Sequence, residues 1–107
     1  MKALVALLSS TESVLLQCSL ETLSHFGHIA SYRHDIGNLQ CVDALLRILN
    51  EYPTEFKILV ASLLKLLSFD EHVRRELRTA NGIFLTHLNS DDETLLLLLL
   101  QLLEFQA

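Results

Sequence analysis

The chain has 107 residues, half of them apolar and about a quarter leucine, interrupted by three glycines and one proline. That composition excludes disorder and favours packed helices, and a chain of this length forms one domain, 1–107, burying roughly two-thirds of its unfolded surface. A net charge of −5 and a pI near 5.4 exclude the basic stripe that a nucleic-acid backbone requires, so no nucleic-acid partner is expected.

Met1 to Leu8 is a short apolar stretch after Lys2, with no small-x-small cleavage site before the polar Ser9-Ser10-Thr11-Glu12. It reads as a core helix and not as a secretory signal. Ser10 is an N-cap residue type, and the segment Val14 to Ser24 carries helical periodicity. Next come a helix over Ile29 to Ile36, a stop at Gly37-Asn38, and a second helix over Leu39 to Leu49. Thr54 caps the following long helix, which runs through Ile58 to Ser68. Ser68-Phe69-Asp70-Glu71 has the form of a capping box and opens a helix over Glu71 to Ala80, stopped by Asn81-Gly82. Ile83 to Leu88 makes a short helix. Ser90 with Glu93 is a second capping box, and Asp91 and Asp92 place negative charge at the positive helix end, so a last helix is expected over about 91–105.

Three of these helices are copies of one another. Val14–Ser24 aligns without a gap on Ile58–Ser68, and again on Thr94–Glu104, at shifts of 44 and 36 residues. Such periods belong to helical solenoids, whose stacked units generate long binding surfaces. The segments between the copies complete a pattern of short helix, Gly or Asn turn, second helix, polar turn and long third helix. The units are about 1–26, lacking its first helix, 28–68, complete, and 70–107, with a shortened second helix.

This three-helix grammar, with Asn81-Gly82-Ile83 opening a unit and the turn Leu88-Asn89-Ser90-Asp91-Asp92-Glu93, resembles the armadillo repeat family over essentially the whole chain. HEAT repeats are the lesser match, sharing two of the three helices. The resemblance implies an all-α, right-handed solenoid that acts as a protein-binding scaffold or adaptor. Its third helices would line a groove for an extended peptide or an amphipathic helix. Importin-type members hold basic peptides with Trp and Asn series; here Cys18, Ser62 and Leu98 stand at the Trp positions and Thr22, Leu66 and Leu102 at the Asn positions. Recognition of a basic nuclear-localisation peptide is therefore not expected.

Residues at i, i+4 and i+8 share a helix face, so each copy can be divided into a groove side and a core side. The groove side comprises Ser13, Gln17 and Glu21, then Lys57, Ala61 and Lys65, then Glu93, Leu97 and Gln101. The core side comprises Leu16, Leu20 and Leu23, then Val60, Leu64 and Leu67, then Leu96, Leu100 and Leu103. The expected partner contacts are Gln17, Cys18, Glu21, Ala61, Ser62, Lys65, Leu97, Leu98 and Gln101. Leu95 to Leu100 breaks the division, because six successive leucines surround the helix and one core face cannot bury them all. A following repeat, a partner, or self-association through Leu95–Leu100 would each cover the excess. The run is too short to span a membrane.

Other chemistry is not expected. GxSxG, HExxH, P-loop and GxGxxG motifs are missing, so the chain reads as no enzyme and as needing no cofactor. His25, His28 and His34, near Asp35 and Cys18, lack a metal-ligand spacing and read as surface residues. Arg74, Arg75 and Arg78 are expected to pair with their own helix's acids, Asp70 with Arg74 and Glu71 with Arg75. Cys18 and Cys41 read as free thiols, which fits a reducing compartment, the cytoplasm or the nucleus. The alternative to a self-contained binding module is a regulatory or structural segment of a larger signalling protein, packed against its own neighbouring repeats or a kinase-type domain.

Overall fold

The computed structural model describes residues 2–39, 41–79 and 92–106, and these are all-helical, with no strand among them. In chain order they form α1 (Lys2–Ala6), a 3-10 turn (Leu7–Ser9), α2 (Ser13–Phe26), α3 (Ala30–Asn38), α4 (Val42–Glu51), α5 (Thr54–Leu67), α6 (Glu71–Arg78) and α7 (Glu93–Gln106). The predicted stop at Asn81-Gly82, the short helix over Ile83 to Leu88 and the Ser90 cap lie outside the described residues. No helix among the described residues is long and apolar enough to cross a membrane.

α5 packs between α2 and α7, so the three copies of the repeated segment are neighbours. The short helices α3 and α6 meet, and α4 meets the 3-10 turn. α4 also closes over α5 with Val42, Leu45, Ile48 and Leu49, all buried.

The buried arcs of the three copies differ because their neighbours differ. At about 100° per residue, the buried Leu16, Ser19, Leu20 and Leu23 of α2 span about 100°. In α5 the set Val60, Ala61, Leu63, Leu64 and Leu67 spans about 160° by the same measure. Each fully buried leucine contributes roughly 1.5–3 kcal/mol, so α5 is the most heavily buried element. The buried set of α7 is Leu95, Leu99 and Leu102, only about 60° wide. This corrects the expected core side of that helix: Leu96 and Leu103 are half-buried and Leu100 is exposed. The copies share a sequence register, but α7 turns toward α5 the flank on which it has a neighbour.

Several helix ends also depart from expectation. Ser10 Oγ accepts from the Glu12 amide at 3.1 Å, in the turn ahead of α2, and Glu12 stands at the N-cap. Thr54 is the first residue of α5, not its cap. The Pro53 carbonyl already accepts from the amides of Phe56 and Lys57, at 3.0 and 3.2 Å. Ser68 does not cap α6, because its hydroxyl donates back to the Lys65 carbonyl at 2.6 Å. Asp70 caps that helix, accepting from the Val73 amide at 3.4 Å. Asp92 does the same for α7, accepting from the Leu95 amide at 2.9 Å, so that helix begins at Glu93. At α6 the Asp70 carboxylate, next to the first turn, is favoured over the Ser68 hydroxyl farther back because it also meets the positive end of the helix dipole.

α3 ends at Asn38, within the predicted Gly37-Asn38 stop, but Gly37 itself is still helical and is buried. A Cβ there would stand 2.8 Å from Val73 Cγ2 and 3.1 Å from Asp70 Oδ2, so the missing side chain is what lets α3 and α6 approach. The contact is closed by His34, whose Nδ1 lies 3.1 Å from Asp70 Oδ1. Asn38 Nδ2 lies 3.2 Å from His34 Nε2, which holds the ring with Nδ1 toward the carboxylate. Asp70 therefore pairs with His34 and not with Arg74. Arg74 instead caps the end of α5, donating to the carbonyls of Ser68 at 3.1 Å and Phe69 at 3.4 Å. Glu71 and Arg75 do approach, at 3.7 Å.

Two outcomes test this packing. Gly37→Ala should lower stability by about 1–2 kcal/mol, the overpacking cost exceeding the helix-propensity gain. A double-mutant cycle with Val73→Ala should show coupling of about 1 kcal/mol in chemical denaturation; zero coupling would show that the two side chains do not meet. Burial by itself would raise the Asp70 carboxyl, but hydrogen bonds from His34 and the Val73 and His72 amides outweigh it and hold the group below its ordinary value. Its stabilisation is thus complete above the unfolded carboxylate value and is lost as pH falls through the lowered one. Asp70→Ala should cost about 1–2 kcal/mol at neutral pH. That difference should shrink below about pH 4, read by thermal melts across pH.

Candidate functional site

The outward faces of α2, α5 and α7 carry the residues expected to meet a partner. Gln17, Cys18 and Glu21 are exposed on α2. Ser62 and Lys65 on α5, and Leu98 and Gln101 on α7, are half-buried, and Leu97 is exposed. Ala61 is fully buried, which corrects its assignment as a contact. By helical spacing it lies on the flank of α5 away from Leu59 and Leu66, the residues that meet α2. A partner cannot reach it in the folded chain.

The helices do not align in space as they do in sequence. A Cβ on Gly27, at the end of α2, would stand 3.3 Å from Leu66 Cδ1, although the sequence partner of Leu66 is Thr22. Together with the pocket that Gln17 and Glu21 line with Glu55, Phe56 and Leu59, this contact shows α2 and α5 running parallel, with α5 slid by about one and a half helical turns. Gln17 and Glu21 look across at Glu55, Phe56 and Leu59, and not at Ala61 and Lys65. These five residues line a pocket of about 280 Å³ at the seam between the two helices.

The pocket has a definite chemistry. Glu21 and Glu55 supply carboxylates from opposite walls, Phe56 and Leu59 supply apolar surface, and Gln17 Nε2 donates to Glu21 Oε1 at 3.3 Å. Such a site accommodates a side chain with an apolar stem and a cationic or amide-bearing head. Glu55, Phe56 and Leu59 join the pocket because the spatial register of α5 against α2 differs from the sequence alignment. Lys65, Ser62, Leu97, Leu98 and Gln101 are not part of the pocket lining.

The described histidines do not gather into one cluster. His34 is engaged by Asp70 and Asn38, His25 stacks edge-on with Phe26 at 6.2 Å, and His72 meets Glu76 at 2.8 Å. Among the described residues no three His, Cys, Asp or Glu side chains come together as a metal site. The two thiols are free and differ in environment: Cys18 is exposed, and Cys41 is buried with its Sγ 3.6 Å from the Ile36 carbonyl. Burial pushes the Cys41 thiol up to about 11.

The comparisons with known proteins bear on the setting of this surface. No protein-family model matches the chain. Over 82 residues it is similar to the serine/threonine-protein kinase Nek10 of Mus musculus, at 33% identity, and of Homo sapiens, at 35% identity. The likeness takes in 77% of this chain, but the chain spans only 7% of the length of either kinase.

Since the thiolate is the reactive form, an aromatic disulfide reagent should modify one thiol per native chain quickly, at Cys18. The second should react only at the rate of unfolding. Two equally fast thiols, or protection of Cys18, would contradict the burial described for α2 and α4.

Proposed function

We propose that the chain is a non-catalytic protein-binding module, an armadillo-like solenoid segment that takes an extended or helical partner segment across the outward faces of α2, α5 and α7. The observation that carries this reading is the pocket at the α2–α5 seam, where two carboxylates and an apolar floor face outward on adjacent copies of the repeated helix. The adjacency of those copies, and of the short helices α3 and α6, supports the armadillo-like grouping. A partner side chain with an apolar stem and a cationic head enters between Glu21 and Glu55. Neighbouring contacts come from Gln17 and Cys18 on one side, Ser62 and Lys65 on α5, and Leu97, Leu98 and Gln101 on α7. Affinity arises from side-chain pockets along a laid-in segment, as in other peptide-binding grooves.

A second reading, a regulatory segment belonging to a larger signalling protein, is favoured by the 82-residue likeness to Nek10. In that setting the segment packs against its own neighbouring repeats or a kinase-type domain.

Glu21→Lys, Gln17→Ala and Lys65→Glu should each weaken capture of partners from a peptide library, with Glu21→Lys the most damaging at about tenfold or more. Far-ultraviolet circular dichroism and the melting midpoint should stay unchanged. Undiminished capture by folded variants would sink the assignment.

A further inference from the structure

α7 also carries an apolar flank that shares Leu97 with the outward face and runs on to Leu100. The flank of α5 that meets α2 bears Leu59, which lines the shared pocket, and Leu66, which meets Gly27. Leu63 lies on the same flank at helical spacing. The equivalent positions on α7 are Leu95, Leu99 and Leu102, all buried, so α7 offers α5 the same Leu-x3-Leu-x2-Leu edge that α5 offers α2. The opposite flank of α5 bears Ala61 and Leu64, both fully buried. Their equivalents on α7 are Leu97 and Leu100, which are 57% and 48% exposed. Two apolar positions that are fully buried on α5 are thus about half exposed on α7.

The charges around this flank narrow what covers it. Glu93, Leu97, Leu100 and Glu104 follow one another at spacings of four, three and four residues, so both glutamates lie on the apolar flank, and both are exposed. An incoming helix therefore meets leucine in the middle and negative charge at either end. A second copy of this chain is poorly suited to the place: α2, at the other end of the stack, carries Ser19 and Thr22 where the edge requires leucine. Ser19 is already buried, and both hydroxyls donate to their own helix, to the Leu15 and Cys18 carbonyls at 2.7 Å.

We propose that the Leu97–Leu100 flank of α7 docks an amphipathic helix of a partner protein, one with leucines at i, i+4 and i+7 and basic residues at both ends of that row. The helix continues the stack of α2, α5 and α7, and its site is distinct from the pocket at the α2–α5 seam.

The test uses a fluorescently labelled synthetic helix with that leucine row and lysine flanks, titrated with the 107-residue chain and read by anisotropy. Binding should weaken about tenfold in Leu100→Glu and in Leu97→Gln, with unchanged circular dichroism. Exchanging both Glu93→Lys and Glu104→Lys should shift preference to a glutamate-flanked peptide. Glu21→Lys, at the other surface, should leave binding intact. Equal binding by Leu100→Glu, or loss with Glu21→Lys, would overturn the proposal. So would a dimeric mass of the free chain that Leu100→Glu makes monomeric, since a second copy would then be the occupant.

Discussion

α5 is buried from both sides, and the rest of the molecule is arranged around that constraint. Its apolar residues cover about 160° of the helix, wider than the single stripe of a surface helix, so one neighbour cannot satisfy it. α2 covers one flank, α7 the other, and α4 closes the core side between them. What remains of α5 is a narrow outward strip with Ile58, Ser62 and Lys65, flanked by the seams to its neighbours. The candidate binding surface is therefore what burial leaves over, and its pocket falls where two packed helices part.

A second constraint fixes how the short helices follow. Gly37 lets α3 come within a side chain's distance of Val73, and the Asp70 carboxylate both caps α6 and receives His34. Arg74 ties the same turn to the carbonyl end of α5. Three polar interactions thus converge on the Ser68-to-Asp70 corner, where backbone groups at two helix ends would otherwise lack partners. This corner holds α6 against α3 and α5.

Much of the fold was legible in the residues. Three ungapped copies of one helical segment foretold three like helices, and the core residues Leu16, Leu20 and Leu23 of α2 and Val60, Leu64 and Leu67 of α5 were read correctly from periodicity. Less of the site was legible. Gln17 and Glu21 do face outward, but Ala61 does not, and Glu55, Phe56 and Leu59 entered the pocket unannounced. The stop at Gly37-Asn38 was legible, but the close approach that Gly37 permits was not, because sequence alone does not distinguish a glycine needed for a turn from one needed for a contact.

Periodicity, composition and capping residues are local properties, and the sequence by itself determined through them that the chain would be helical, where its long helices lie and that three of them are alike. The axial slide between α2 and α5, the two-sided burial of α5 and the rotation of α7 toward its neighbour were decided only by tertiary structure. The physical reason is that six successive leucines carry no preferred face of their own. Which of them is core, and which is left facing outward, depends on where the neighbouring helix lies.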